Sequence, residues 1–283
     1  SKIYCRTQKL WGSEFKDQLP NIDFGKVLTD DKELYEWMRK LEIYGLVLLK
    51  NAPRETGQLK ELSKRVAFLK KTHYGETFTV KSKRDPNNLA YTGLKLGLHV
   101  DLPFYSFAPG IQMLHCIEQY EGEGGENDFS DGFYVAQLTK ERAPEEYKTL
   151  ETTPIDFWDV GEDVIKFHKV IPIYMFGTDN DGELQRVTLN QQSRDSHMRV
   201  PLEQVTPFYT AMKNYNDALY NNSIRIKMEP GDIVCFDNMR VLHGRTGFKM
   251  NQSGSRHLEG GYIEWDELRS MQNVMKKELN IMD

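Results

Sequence analysis

The sequence predicts a mainly β fold with helical flanks around a double-stranded β-helix, or jelly-roll, core. Two observations carry that expectation. Two segments with helical spacing of apolar residues stand near the beginning of the chain, and from about residue 88 onward short apolar runs recur between turn signals. At 283 residues and 39% hydrophobic content the chain can bury a full core, and it has no apolar run long enough to span a membrane. We therefore expect one catalytic domain over 1–283, with 1–86 as a helical flank carrying a supporting strand and 87–283 as the jelly-roll core with helical insertions.

Residues 30–42 place apolar side chains at helical spacing, and 44–49 follow as a short strand after a glycine stop. Residues 59–74 read as a second amphipathic helix. Residues 111–117 are an apolar strand, 121–127 a Gly-rich acidic turn, and 129–135 the start of another strand. Helical insertions are expected over 140–150, with Thr139 as N-cap, and over 205–219. Residues 170–176, 184–189, 223–228 and 233–236 supply further strands, and 264–279 a terminal helix packed on the flank or on another subunit.

The net charge of −5 and pI of about 5.9 argue against a nucleic-acid surface, and basic runs such as Lys81 to Arg84 read as solvated loop charge. Cys5, Cys116 and Cys235 lack any Cys-x-x-Cys spacing, which predicts reduced thiols and neither a disulfide frame nor a zinc site. The start at Ser1 shows neither a signal peptide nor an Arg-rich presequence, so a cytoplasmic protein is expected, with the mitochondrion as alternative because the start looks trimmed.

Chemistry concentrates in His99-Val100-Asp101, in His243 and in Arg256. In an extended strand, residues i and i+2 share a side, so His99 and Asp101 can chelate one ion while Val100 packs on the other face. Two imidazoles and one carboxylate occupy one face of an octahedral ion and leave the opposite face open, the ligand set of non-haem Fe(II) oxygenases. A bare His-x-Asp is common by chance, and its bland reading is a hydrogen-bonded strand histidine beside a surface aspartate. His243 follows the apolar run 232–237 and is expected near the end of that core strand, with Arg256 on the next, adjacent strand. A guanidinium there can grip a carboxylate bidentately, which points to a dicarboxylate co-substrate. His73, His115, His168, His197 and His257 have no partner at ligand spacing and are left out of the metal site.

At these residues the chain resembles the 2-oxoglutarate- and Fe(II)-dependent oxygenases of the taurine dioxygenase-like branch, and within it the gamma-butyrobetaine dioxygenases. The resemblance is carried by Tyr91-Thr92, Leu98-His99-Val100-Asp101, Gly110-Ile-Gln-Met-Leu-His-Cys116, Asp131-Gly-Phe133, Phe236-Asp-Asn238, Leu242-His-Gly-Arg245 and Ser255-Arg-His-Leu-Glu-Gly260, from about Trp11 to Trp265. It implies Fe(II) on His99, Asp101 and His243, 2-oxoglutarate on Arg256, O2 as oxidant and ascorbate as a reductant. The implied activity is hydroxylation of gamma-butyrobetaine to L-carnitine, with release of succinate and carbon dioxide. It further implies a homodimer and an N-terminal zinc-binding module that this sequence lacks.

The resemblance also implies that Tyr74, Phe78, Tyr91 and Tyr262 wall a pocket for a trimethylammonium group, which attracts ring faces because it cannot donate hydrogen bonds. Any one of these rings could equally be core material. Asn88 and Asn190 match positions near the substrate carboxylate, and as isolated asparagines they could equally be turn residues. Two positions depart from the pattern: Phe78 stands where tryptophan is expected, and Leu102 where tyrosine is expected. The alternatives are a trimethyllysine dioxygenase, a hydroxylase of another small quaternary amine and, in another class, a non-catalytic betaine-binding protein. Intact His99, Asp101, His243 and Arg256 speak against the last, because binding alone needs no open iron site.

Overall fold

A computed structural model describes residues 8–81, 94–248 and 256–281. After a 3-10 helix, Ser13–Gln18, the chain runs β1 (Asn21–Asp23), α1 (Phe24–Thr29), α2 (Asp31–Tyr44), β2 (Leu46–Lys50), α3 (Gln58–Lys64) and β3 (Thr77–Lys81). Strands β4 (Leu96–His99), β5 (Ile111–Glu118) and β6 (Asn127–Asp131) lead into α4 (Gly132–Arg142) and α5 (Pro144–Thr152). A hairpin, β7 (Ile155–Glu162) and β8 (Lys166–Ile173), precedes β9 (Phe176–Thr178), β10 (Leu184–Val187) and α6 (Leu202–Asn221). The chain closes with β11 (Ile224–Ile226), β12 (Ile233–Asp237), β13 (Val241–Arg245), β14 (His257–Ile263) and α7 (Trp265–Glu278).

Two sheets form the expected jelly-roll sandwich: six strands in the order β1-β2-β12-β5-β14-β3 and four in the order β11-β6-β13-β4. Alternation along each strand sorts side chains to two faces. On the six-stranded sheet Val47, Leu49, Ile111, Met113, Ile233, Cys235 and Ile263 pack outward against Leu34, Trp37, Met38 and Leu41 of α2 and Leu268 of α7. Leu46, Leu114, Cys116, Val234, Phe236 and Leu258 point inward, where Phe129 and Val241 of the smaller sheet meet them. Cys116 and Cys235 are buried free thiols, as expected; Cys5 lies outside the described residues.

Helix α2 forms where the apolar spacing places it. Asp30 caps it by accepting from the Lys32 N–H, and Gly45, at φ 70°, ends it in the left-handed conformation that glycine adopts without steric cost. Four local expectations need correction. The helix expected over 59–74 stops at Lys64, and the Lys70 N–H donates to the Tyr262 carbonyl 2.8 Å away, so a tertiary partner takes the backbone that would have continued it. Tyr74 sits instead in the tight turn between Thr72 and Gly75.

The strand expected over 129–135 ends at Asp131, whose carboxylate accepts from the Phe133 and Tyr134 N–H groups and starts α4. Thr139 is inside α4 and its hydroxyl donates to the Val135 carbonyl; the chain breaks at Ala143, and Pro144, which has no N–H to give, begins α5. Finally, His243 is on β13 and not at the end of β12. The turn 238–240 carries the chain from one sheet to the other.

Candidate active site

The site lies inside the sandwich. Strands β4 and β13 are antiparallel neighbours in the smaller sheet and pair His99 directly with His243, which sets the two imidazoles side by side, tilted by 41°, with centroids 4.2 Å apart. Gly244 allows this approach, since a β-carbon there would sit 2.7 Å from the Leu96 carbonyl oxygen. After His99 the chain stays extended for one residue, with the Val100 N–H donating to the Leu189 carbonyl, and then turns at Asp101.

Ligand-capable atoms of His99, Asp101 and His243 lie within 4.8 Å of one another. Asp101 Oδ1 is 3.2 Å from His99 Nε2 and 3.6 Å from His243 Nε2. Two ligands at right angles, each about 2.1 Å from one ion, would be roughly 3 Å apart, so the donor set fits a small divalent metal.

Protonation favours the same use. His99 Nδ1 is 2.8 Å from the Gly97 carbonyl, and donating to it leaves Nε2 with a free lone pair. Burial, followed by neighbouring His99, holds His243 down to about 3, a neutral imidazole at ordinary pH. Burial pushes the Asp101 carboxyl up, but the hydrogen-bonding contact with His99, the charge His243 gains in acid and the Tyr262 hydroxyl outweigh it and leave Asp101 well below the usual range.

Arg256 immediately precedes β14, in the sheet opposite β13, so it faces the metal ligands across the sandwich and is not on an adjacent strand as expected. It is 3% exposed, and its Nη2 donates to Asn127 Oδ1 at 3.4 Å. Its Nε is buried without a hydrogen-bond partner among the described residues. Burial, and then neighbouring Arg245, push its guanidinium down to about 9, still cationic at neutral pH. A buried cation with so little compensation is costly, and an entering carboxylate would offset the cost. Gln112 Oε1, on the same cavity wall, is likewise buried without a partner among the described residues.

Three of the four expected cage rings come together. Tyr74 and Phe78 have centroids 6.3 Å apart, and Phe78 and Tyr262 5.4 Å apart. Phe78 pairs with Gly260 across β3 and β14, and a β-carbon at Gly260 would stand 2.1 Å from the Phe78 ring, so this glycine provides the ring's space. Tyr91 and Asn88 lie outside the described residues. Asn190 is buried; its amide donates to the Val100 carbonyl and its Oδ1 accepts from the N–H groups of Gln192 and Ser193. Those bonds fix the turn beside the His-x-Asp segment. Leu102 is buried in the core at φ 53°.

Sequence reasoning assigned no role to Asn238, which holds Asp101, or to Gln112, Asn127 and Arg245, which line the same cavity. It also set His73 aside, yet this buried ring stacks on Phe167, lies 3.9 Å from the Tyr74 ring, and has Nε2 3.0 Å from Asp159 Oδ2. Only the presence of Gln112, Asn238 and Arg245 inside matching blocks could have signalled any of this.

Residues 6–262 match the family described as Taurine catabolism dioxygenase TauD, TfdA family. The chain is 40% identical over 276 residues to gamma-butyrobetaine dioxygenase of Homo sapiens, covering 95% of this chain and 69% of that protein. It is 31% identical over 269 residues to mitochondrial trimethyllysine dioxygenase of Homo sapiens, covering 92% and 62%. A crystal structure described as a putative alpha-ketoglutarate-dependent taurine dioxygenase from Burkholderia xenovorans superposes with a TM-score of 0.65 at 12% identity, covering 87% of this chain and 89% of that one, a likeness of fold. With the family matched over nearly the whole chain and a donor set that suits iron inside the sandwich, the chain belongs to the TauD, TfdA family and is an Fe(II)- and 2-oxoglutarate-dependent dioxygenase.

Proposed function

We propose that this enzyme hydroxylates gamma-butyrobetaine to L-carnitine within one catalytic domain, with 2-oxoglutarate converted to succinate and carbon dioxide. The observation that carries the reading is a single cavity lined by His99, Asp101, His243, Arg256 and Phe78, with Tyr262 and Tyr74 continuing the ring wall from Phe78. It fits the 40% identity to an enzyme of that name.

His99, Asp101 and His243 would hold Fe(II), and Arg256 would bind the distal carboxylate of 2-oxoglutarate through its planar fork. Bound iron with 2-oxoglutarate supplies the activation of O2 and the oxidation of the C–H bond, with ascorbate as a reductant. The chain's own residues supply orientation and a dry site. Tyr74, Phe78 and Tyr262, joined by Tyr91 as the resemblance implies, would offer ring faces to the trimethylammonium end, worth roughly 0.5–2 kcal/mol per contact. The resemblance assigns Asn88 and Asn190 to the carboxylate end. Holding both ends places the intervening carbon beside the metal and converts binding into alignment.

A homodimer accompanies this reading on the strength of the resemblance, with the cytoplasm as the compartment read from the sequence and the mitochondrion as its alternative; no described helix is long and apolar enough to cross a membrane. The net charge of −5 supports a small-molecule partner over a nucleic acid.

Mass-spectrometric product analysis tests the assignment, with gamma-butyrobetaine, trimethyllysine and taurine offered separately with Fe(II), O2 and 2-oxoglutarate. Gain of one oxygen by gamma-butyrobetaine, matched by succinate, is the expected result. Hydroxylation of trimethyllysine alone would shift the assignment to the second relative, whose substrate carries an added α-ammonium group.

A further inference from the structure

Tyr262 serves two parts of the site at once. Its ring continues the cage wall from Phe78, and its hydroxyl donates to Asp101 Oδ2 at 2.6 Å. The other oxygen, Oδ1, is the one that faces both imidazole Nε2 atoms. We infer that the Tyr262 hydroxyl is a positioning group for the metal centre: it occupies Oδ2 so that Asp101 offers the metal one oxygen, while the ring of the same residue walls the amine pocket. This rests on the metal and amine reading proposed above and deepens it.

The geometry leaves Asp101 little freedom to do otherwise. Its N–H donates to Asn238 Oδ1 at 2.8 Å, and its carbonyl accepts from Asn238 Nδ2 at 3.0 Å. Asn238 Nδ2 also reaches the Pro109 carbonyl at 3.1 Å, so this amide is anchored to the loop before β5. The next residue, Leu102, has φ 53°, a conformation a bulky side chain holds only when its surroundings over-determine it. The backbone being clamped, the carboxylate can adjust only by rotation about its own side-chain bonds. The Tyr262 hydroxyl opposes that rotation.

Tyr262 is itself fixed. It is 2% exposed, its position on β14 pairs with Gln112, and its carbonyl accepts from Lys70. Its hydroxyl is placed to donate to Asp101 Oδ2. A carboxylate bound through both oxygens would take an additional coordination position. Occupying Oδ2 keeps that position for the co-substrates. It also ties the wall that meets the ammonium to the carboxylate that holds the metal.

The test compares the full chain with Tyr262→Phe, using Co(II) alone as the metal probe, by competition with a chromophoric chelator and by the visible Co(II) spectrum. Loss of a hydrogen-bonding partner behind a metal ligand is expected to weaken Co(II) binding about 10- to 100-fold. The visible spectrum should change as the carboxylate becomes free to bind through both oxygens.

If Tyr262→Phe does not fold, 4-methylphenylalanine and 4-aminophenylalanine at position 262, alike in shape, make the same comparison, and only the second should retain parental affinity and spectrum. Equal Co(II) affinity and equal spectra with and without a donor would overturn the inference. Failure of the parent chain to bind Co(II) would overturn the metal reading and the inference with it. A donor-dependent loss of Co(II) affinity in a chain with no affinity for gamma-butyrobetaine would support the positioning role while overturning the amine assignment.

Discussion

The two faces of the six-stranded sheet are made by the same strands and do different work. Outward, alternate residues of β2, β5, β12 and β14 close a dry layer against α2 and α7, with Leu41, Val47, Met113 and Cys235 all fully buried. Inward, the residues between them include Gln112 and Tyr262, which with Phe78 of β3 face His99 and His243 of the smaller sheet and the Asp101 that follows β4. The outer face is mainly apolar and lies away from the cavity, so its contribution is stability. The inner face leaves polar groups such as Arg256 Nε and Gln112 Oε1 without partners among the described residues, and so gives up some stability in return for ligand binding.

Substitutions on the two faces should therefore separate activity from stability. Asp101→Ala is expected to bring turnover down to background and empty the metal site while circular dichroism still reports the parental fold. Full activity with confirmed metal occupancy would remove Asp101 from the ligand set. On the outer face the reverse is expected: Leu41→Ala should lose about 2–5 kcal/mol in chemical denaturation through the cavity it leaves, while activity per folded molecule is unchanged.

The outer face also sets a pH dependence. Burial, followed by His257, pushes His115 down to about 4, whereas in the unfolded chain it takes its proton near 6.5. Between those values the unfolded state binds a proton that the folded state does not, so stability falls as the pH is lowered from 6.5 toward 4. The loss at pH 5 should be on the order of 2 kcal/mol, and His115→Leu should flatten the slope in denaturation curves taken across that range.

Smaller effects distinguish the parts of the inner face. Arg256→Lys replaces a planar fork by a point charge and should raise the 2-oxoglutarate requirement about tenfold with little change in the amine requirement. A selective loss of amine affinity would move Arg256 into the amine site. A neutral tert-butyl isostere of gamma-butyrobetaine should bind more weakly by about 1 kcal/mol or more, and Phe78→Trp should retain or improve binding of the charged ligand. Equal affinities for charged and neutral ligands, measured by calorimetry, would show that the rings read shape alone.

Periodicity and local spacing were enough for some of this. The 3.6-residue spacing of Leu34, Trp37, Met38 and Leu41, the glycine stop at Gly45 and the apolar runs of β5 and β12 are local patterns, and the fold class follows from them. The His-x-Asp chelate is equally local, because strand geometry places i and i+2 together. What is non-local was decided by packing. The Tyr262 carbonyl holds the Lys70 N–H beyond the end of the second helix, the turn 238–240 moved His243 into the other sheet, and the opposition of the sheets put Arg256 across from the metal ligands. The Asp101 clamp belongs to the same class: Asn238 and Tyr262 lie 137 and 161 residues from Asp101 along the chain. A hydrogen bond between partners that distant leaves no periodic trace in the sequence, since only the closed sandwich brings the two groups within reach.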